Sequence, residues 1–490
     1  VNIRFSMLRV VGAALLAAGA AAAEIDQSVV EVQVTVQMSD PSMPWRRYPP
    51  AMRRGFGAVI GPGRVVTAES LVRNHVMVEL RRARSGVKTA VRVAEADPQT
   101  GAAILVWDQA PALADLKPIA LSAAVPTNAS VTIVQFDETG QIQADQARVS
   151  EVSVAPLPET ASAMLMYRAL TSLNTGERGA PVIYKGQLAG LVLQSDRSSQ
   201  TCRILPAAVL GRFLEDVQTP PYRGVAVAGF SWATLVDPIR RAFRGADPSP
   251  DGGGIEVMHI LPGTGAAAAL QSGDIILEWD GADLDAQGYY DDPEFGRLLL
   301  PFLINGRRRP GDSVTLTVLR DGECRDIPLT LSRRRDSDAL IPENIGLAQP
   351  EYIVDCGLVF RELGGDYLRA AGEKWMVHGN PRLVYMYLTR AHDPDRPGDH
   401  VVVLVGVLPD AINIGYQHIR DAVVTAVNGE PIRNLADMFR IVDRDGGMRR
   451  VSLQAYGQDI VLDSASRDAA NRRLAALYRI PALRYQKQKE

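Results

Sequence analysis

At 490 residues the chain is too long for one hydrophobic core and divides, at ordinary domain sizes, into roughly three domains. Its 46% hydrophobic share and moderate charge exclude a disordered or multispan membrane protein, and a net charge of -3 excludes bulk nucleic-acid binding. Arginine outnumbers lysine 47 to 6, a bias spread over the whole chain, so Arg307-Arg308-Arg309 and Arg333-Arg334-Arg335 read as solvated loops and not as phosphate sites.

The N-terminus places Arg4 and Arg9 before an apolar run, Val10 to Ala20, and small residues ending Ala21-Ala22-Ala23 before Glu24. This order predicts a signal peptide over residues 1–23, with export to the periplasm or cell envelope and a soluble mature protein; an uncleaved anchor is the alternative. No later stretch reaches ~18 apolar residues. Cys202, Cys324 and Cys356 are odd in number and far apart, which is no disulfide framework.

Val29 to Val36 alternates as a half-buried strand does. A proline-rich loop (Pro41, Pro44, Pro49, Pro50) precedes Gly55 to Ile60, the turn Gly61-Pro62-Gly63 and the strand Arg64 to Thr67. Short strands continue at Val76–Leu80, Lys88–Val93, Ala103–Trp107 and Val131–Phe136, an all-β rhythm that suits a barrel or sandwich.

The text GFGAVIGPGRVVTAESLV resembles the HtrA/Deg family of serine proteases, whose histidine then falls on Ser70. Ala96 to Leu105 is similar to the segment carrying the family's aspartate, and that place is held by Gly101. Gly176-Glu177-Arg178-Gly179-Ala180-Pro181 resembles the G-N-S-G-G-P turn of trypsin-like proteases, with Arg178 in the serine's place. The resemblance implies a chymotrypsin-like double β-barrel over residues 24–217 in which all three triad positions are substituted, so no catalytic residue is assigned. A guanidinium stays protonated and offers donors but no lone pair, so Arg178 cannot act as a nucleophile.

Substitutes are available on paper: His75, Asp97, Ser172 and Thr175. A base moved five residues along the chain is displaced by ~16 Å if extended or ~7.5 Å if helical, against the ~3 Å it needs from its nucleophile. The oxyanion-hole donors implied by the resemblance are the backbone N–H groups of Gly176 and Arg178, although Ala180 replaces a glycine and disfavours positive φ. The plainest role for Arg178 is pairing with Glu177, Glu69 or a carboxylate across the cleft.

Ala207 to Glu215 predicts a short helix, and Val217 to Pro221 a linker. Tyr222-Arg223-Gly224-Val225 then resembles the carboxylate-binding loop that opens HtrA-type PDZ domains, followed by Gly254–Val257, Leu261–Leu270, Gly273–Leu277 and Ser313–Gly322 in the family's order. These imply a first PDZ domain over 218–335, in which a peptide adds as a strand at Tyr222, Arg223, Gly224 and Val225 and the backbone amides hold its carboxylate. The alternative is a groove filled by its own chain, with the insertion Gly288–Pro310 as occupant. Arg333 to Pro350 reads as a polar linker, and residues 336–490 as a second PDZ-like domain with a C-terminal extension.

The C-terminal half is similar to plant-type Deg proteases, in which the second module contacts neighbouring subunits, and this implies a homo-oligomer, trimeric or higher. His378, His392, His400 and His418 lack metal-site spacing, so no metal or cofactor is called for. The expected partners are peptides or unfolded polypeptides and active Deg relatives, with no nucleic acid. The expected function is that of a catalytically inactive envelope protein, a scaffold, holdase or regulator in protein quality control. The alternatives are a serine-type endopeptidase with a rearranged site and a structural oligomer with closed PDZ grooves.

Overall fold

The computed structural model describes residues 25–487 except 158–159, 161, 172–176, 247–251, 347–348, 443, 445–447 and 455–456. The expected signal peptide lies outside the described residues. Contacts divide the chain into two units: the first runs to Val36, then Ala51–Ile260 and Thr264–Arg333; the second comprises Gln37–Pro50, Leu261–Gly263 and the chain from Arg334 onward.

The first unit opens with two closed antiparallel barrels. Strands β1 (Val29–Val36), β2 (Ala51–Gly61), β3 (Arg64–Ala68), β4 (His75–Arg82), β5 (Lys88–Asp97) and β6 (Ala102–Val106) close in the order β1-β2-β3-β6-β5-β4. A single helical turn, α1 (Glu69–Val72), joins β3 to β4. The predicted alternation is visible in the packing: Val30, Val32, Val34 and Val36 share the barrel core with Leu80 and Leu105.

The opposite face of β1 is not solvated as a half-buried strand would have it. Glu31 is fully buried there, paired with Arg54 of β2 and Arg81 of β4. Burial raises its pKa, but the bonds from Arg81 and Gln33 and the charges of Arg54 and Arg81 carry it below the ordinary value.

The second barrel consists of β7 (Ser130–Phe136), β8 (Ile142–Pro156), β9 (Ala163–Thr171), β10 (Pro181–Tyr184), β11 (Gln187–Asp196) and β12 (Thr201–Pro206), ordered β10-β11-β12-β9-β8-β7. Helix α2 (Ala207–Val217) follows and buries Val209, Leu210 and Phe213 at helical spacing.

The segment predicted as a first PDZ domain begins with β13 (Ala226–Val227), β14 (Phe230–Thr234), β15 (Ile255–Ile260), β16 (Ile275–Trp279) and β17 (Ala282–Asp283). Its insertion contributes a hairpin, β18 (Tyr289–Asp292) with β19 (Gly296–Leu299), and a π-helical turn, Phe302–Gly306. The strands β20 (Ser313–Arg320), β21 (Glu323–Thr330) and β22 (Ser332–Arg333) complete it. The sheet runs β14-β15-β16-β20-β21, while β22 returns to pair with β13.

Leu298, Leu300, Phe302 and Ile304 of the insertion are buried in one core with the second barrel. The arginines beside them lie in the solvent-accessible loop that composition suggests, and each is also paired. Arg307 pairs with Asp292, 15 residues away in the same insertion, Arg308 with Asp280, 28 away, and Arg309 with Asp216 of α2, 93 away.

The second unit is built on a sheet ordered β29-β28-β26-β25-β24-β23-β30. Its strands are β23 (Tyr352–Asp355), β24 (Leu358–Glu362), β25 (Val402–Val407), β26 (Ala422–Val427), β27 (Glu430–Pro431, paired with β26), β28 (Met448–Leu453), β29 (Ile460–Asp463) and β30 (Arg484–Tyr485). The predicted linker Arg333–Pro350 is more than a linker: Leu340 and Ile341 are buried in this unit's core. From the proline-rich loop, Trp45 packs its ring on Tyr352 at 5.8 Å.

Candidate functional site

Ser70, Gly101 and Arg178 come from three separate segments, and the fold places them around one cavity of about 120 Å³. Ser70 is the second residue of α1, whose short turn is tied at both ends. The Glu69 N–H donates to the Gly101 carbonyl at 2.9 Å, and Arg53 Nη1 donates to the Ser70 carbonyl at 3.2 Å.

Gly101 holds φ +78°, and its N–H donates to the Asp97 carbonyl at 2.9 Å. A Cβ there would lie 3.2 Å from Leu157 Cδ2, so a side chain is disfavoured by conformation and by space together. Arg178 sits in a turn where the backbones of two segments nearly touch. Its carbonyl accepts from the Phe56 N–H at 3.0 Å, and the next N–H, that of Gly179, donates to the Val192 carbonyl at 2.7 Å.

The carboxylates predicted as partners of Arg178 are held by other arginines. Glu69 is gripped in a fork by Arg73, with Nη2 to Oε2 at 2.6 Å and Nε to Oε1 at 3.1 Å. Glu177 lies 3.6 Å from Arg54; burial raises its pKa, Arg54 opposes this, and Glu31 adds to it. Among the described residues no carboxylate lies within ion-pair distance of Arg178, whose side chain is exposed.

No histidine lines this cavity among the described residues. His75 is exposed at the start of β4, with Nδ1 2.8 Å from the Val72 carbonyl oxygen. Asp97 is buried and faces away to the hydroxyl of Tyr222, which donates to its carboxylate. Ser172, Thr175 and Gly176 lie outside the described residues. The charged lining is therefore Glu69, Arg73 and Arg178, with Ser70 and Gln194 as neutral polar groups and Leu157 and Leu193 as apolar wall. That set offers cationic and hydrogen-bonding contacts, and its one carboxylate is already neutralised.

The Tyr222–Asp97 contact was not legible in the sequence, since 125 residues separate the partners. Burial raises the pKa of Asp97, and the nearby charge of Glu69 adds to this against the bonds from Tyr222 and Gln99. A carboxyl whose folded pKa is raised contributes stability that is complete below its unfolded value and is lost as pH rises through the folded value. Asp97→Asn keeps an acceptor for Tyr222 and cannot ionise. Its melting temperature relative to the parent is expected to improve as pH is raised from the ordinary 3.8 through the raised value of the folded state; a pH-independent difference would contradict the assignment.

Of the four predicted peptide contacts, only Arg223 and, in part, Tyr222 reach solvent; Gly224 and Val225 are buried. Tyr222 packs edge-on against Phe213 of α2 at 5.8 Å. Between α2, this loop and the insertion's Phe302–Arg308 segment there remains a cavity of only about 90 Å³. Arg212 Nη1 donates across it to the Gly306 carbonyl at 3.0 Å, and Asn305 Nδ2 to the Ala163 carbonyl at 2.6 Å.

Comparison with known proteins agrees with this architecture. A sequence model of the trypsin-like peptidase domain matches residues 55–191, and one of the PDZ domain matches residues 341–486. The chain is 26% identical over 422 residues to Protease Do-like 2, chloroplastic, of Arabidopsis thaliana, covering 85% of this chain and 68% of that protein. It is 25% identical over 462 residues to Protease Do-like 4, mitochondrial, of the same organism, covering 93% and 84%. Among solved structures, HtrA-type protease AlgW with tripeptide superposes with a TM-score of 0.51 at 16% identity, over 64% of this chain and 96% of that one. The same protease with decapeptide gives 0.50 at 17%, over 64% and 98%. With a trypsin-like double barrel, a PDZ domain after it in sequence and Do-like relatives along most of its length, the chain is similar throughout to the HtrA/Deg family.

Proposed function

We propose that this chain is a catalytically inactive HtrA/Deg-like protein that binds peptides or unfolded segments, acting in the cell envelope as a scaffold, holdase or regulator of protein quality control. One observation carries the reading. The cavity that gathers Ser70, Gly101 and Arg178 has no histidine among its described lining residues, and its one carboxylate is clamped by Arg73. Peptide hydrolysis in this fold needs a nucleophile, a base in contact with it and a group that orients the base. Each of those three roles falls on a residue that cannot perform it.

Peptide binding is supported by the family and by the peptides named with the solved AlgW structures. The reading favours the barrel cleft as the seat, because Gly224 and Val225 of the predicted peptide loop are buried beside α2 and the insertion. Assembly into a homo-oligomer, trimeric or higher, is part of the same proposal.

The test uses the purified full chain. The expected result is intact casein and no covalent adduct with a serine-directed phosphonate, together with reduced aggregation of a heat-unfolded client protein. An adduct on any serine would move the chain to the rival reading, a rearranged endopeptidase.

A further inference from the structure

The charge at Arg178 is out of place for a surface that merely lost its chemistry. Glu69 and Glu177, the acids nearest in sequence and fold, are engaged by Arg73 and Arg54, and no carboxylate among the described residues pairs with Arg178. Summing Glu69, Arg73 and Arg178 gives the cavity lining one net positive charge. Beside it stand Leu157 and Leu193, both nearly excluded from solvent.

The volume of about 120 Å³ is roughly four times the ~30 Å³ that a water occupies in the liquid. That space suits one short aliphatic side chain.

A backbone edge leads to the same point. On one side β11 pairs with β12 as far as Asp196↔Thr201; on the other it pairs with β10 only up to Pro181↔Leu191. The last bonds on that second side are Val192 N–H to the Ala180 carbonyl at 2.9 Å and Gly179 N–H to the Val192 carbonyl at 2.7 Å, next to Arg178. Beyond them Leu193–Asp196 has no strand partner on this edge among the described residues. An extended chain can add there as a strand, which is the usual way a free edge is used to hold peptide.

We propose that Arg178 receives the C-terminal carboxylate of an extended polypeptide whose last, aliphatic side chain enters the cavity between Leu157 and Leu193. The inference rests on the inactive, peptide-binding reading above and names the ligand of that site. A chain passing through the cleft brings no charge to Arg178. A chain that ends there brings one carboxylate to a guanidinium with no ion-pair partner among the described residues, a pairing that takes two parallel hydrogen bonds. Arginine at the nucleophile position thus converts a place for a scissile carbonyl into a place for a chain end.

The probe is a fluorescein-labelled, alanine-rich decapeptide ending in valine, made as the free acid and as the C-terminal amide. Binding to the full chain is read by polarisation at about 0.15 M salt, where charges more than ~8 Å apart are screened. The acid is expected to bind about tenfold or more tighter than the amide. Arg178→Gln is expected to bring the two within about twofold, and Arg178→Lys to keep part of the preference. Arg223→Glu, at the exposed position of the Tyr222–Val225 loop, is expected to leave the ratio unchanged. An amidated peptide with an internal aspartate is expected to bind like the plain amide, which separates a chain end from an acidic side chain.

Melting curves verify that the variants are folded. Equal binding of acid and amide, an unchanged ratio in Arg178→Gln, or loss of the ratio in Arg223→Glu overturns the inference while the peptide-binding reading stands. Absence of binding by every peptide overturns both.

Discussion

An Arg178→Ser variant is expected to leave casein as intact as the parent chain does. Restoring the hydroxyl supplies the attacking atom alone. Ser70 and Gly101 still occupy the base and orienting positions, and His75 remains at the start of β4, held to the Val72 carbonyl. Enzymes of this kind that lose their triad fall about a millionfold in turnover, and the members act as a unit, so one restored residue recovers almost nothing.

The informative companion is the triple variant Ser70→His, Gly101→Asp, Arg178→Ser. Aspartate tolerates left-handed φ better than most residues, although it must also fit beside Leu157. Cleavage that arises only in the triple variant would assign the inactivity to these three positions. Cleavage by Arg178→Ser alone would show that a base stands within reach after all, and the proposed function would fail.

Gly179→Ala is expected to be among the most damaging small substitutions in the first unit. Gly179 holds φ +78°, and a Cβ on it would lie 2.1 Å from the Phe56 carbonyl oxygen, well inside contact distance with backbone that belongs to β2. A non-glycine residue in such a conformation costs on the order of 1–3 kcal/mol, and forced overpacking adds about as much again. A loss of ~3 kcal/mol corresponds to a fall of roughly 6–12 °C in melting temperature for a domain of this size.

Gly186→Ala is the control, because its φ is +79° with no atom within 4 Å of the added Cβ. It carries the conformational cost alone, of order 1 kcal/mol. The difference between the two variants measures how tightly β2 and the Arg178 turn are pressed together. Equal melting temperatures would mean that the two segments separate at little cost.

Much of this was open to reading from residues alone. The alternation of Val29–Val36, the glycine turn at 61–63 and the register that puts Ser70, Gly101 and Arg178 at related positions are local patterns, and the barrels and the shared cavity follow them. What could not be read depends on pairs distant in sequence. Arg309 finds Asp216, Tyr222 finds Asp97, and Glu31 is enclosed by arginines of two neighbouring strands. Composition treats each arginine as solvated, because nothing local marks which one will meet a buried acid. The Arg333–Pro350 segment differs from its linker reading for the same reason: its charged opening, Arg333 to Asp338, conceals Leu340 and Ile341, which the second unit buries.

The insertion Gly288–Pro310 has a practical corollary. Leu298, Leu300, Phe302 and Ile304 are shielded by the second barrel, and Arg309 and Asn305 fasten the segment there through Asp216 and the Ala163 carbonyl. Cut away from the barrels, residues 218–335 would present that oily strip to water and aggregate. Dissection by truncation would therefore report on a damaged fragment, and point substitutions in the intact chain are the sound way to apportion its roles.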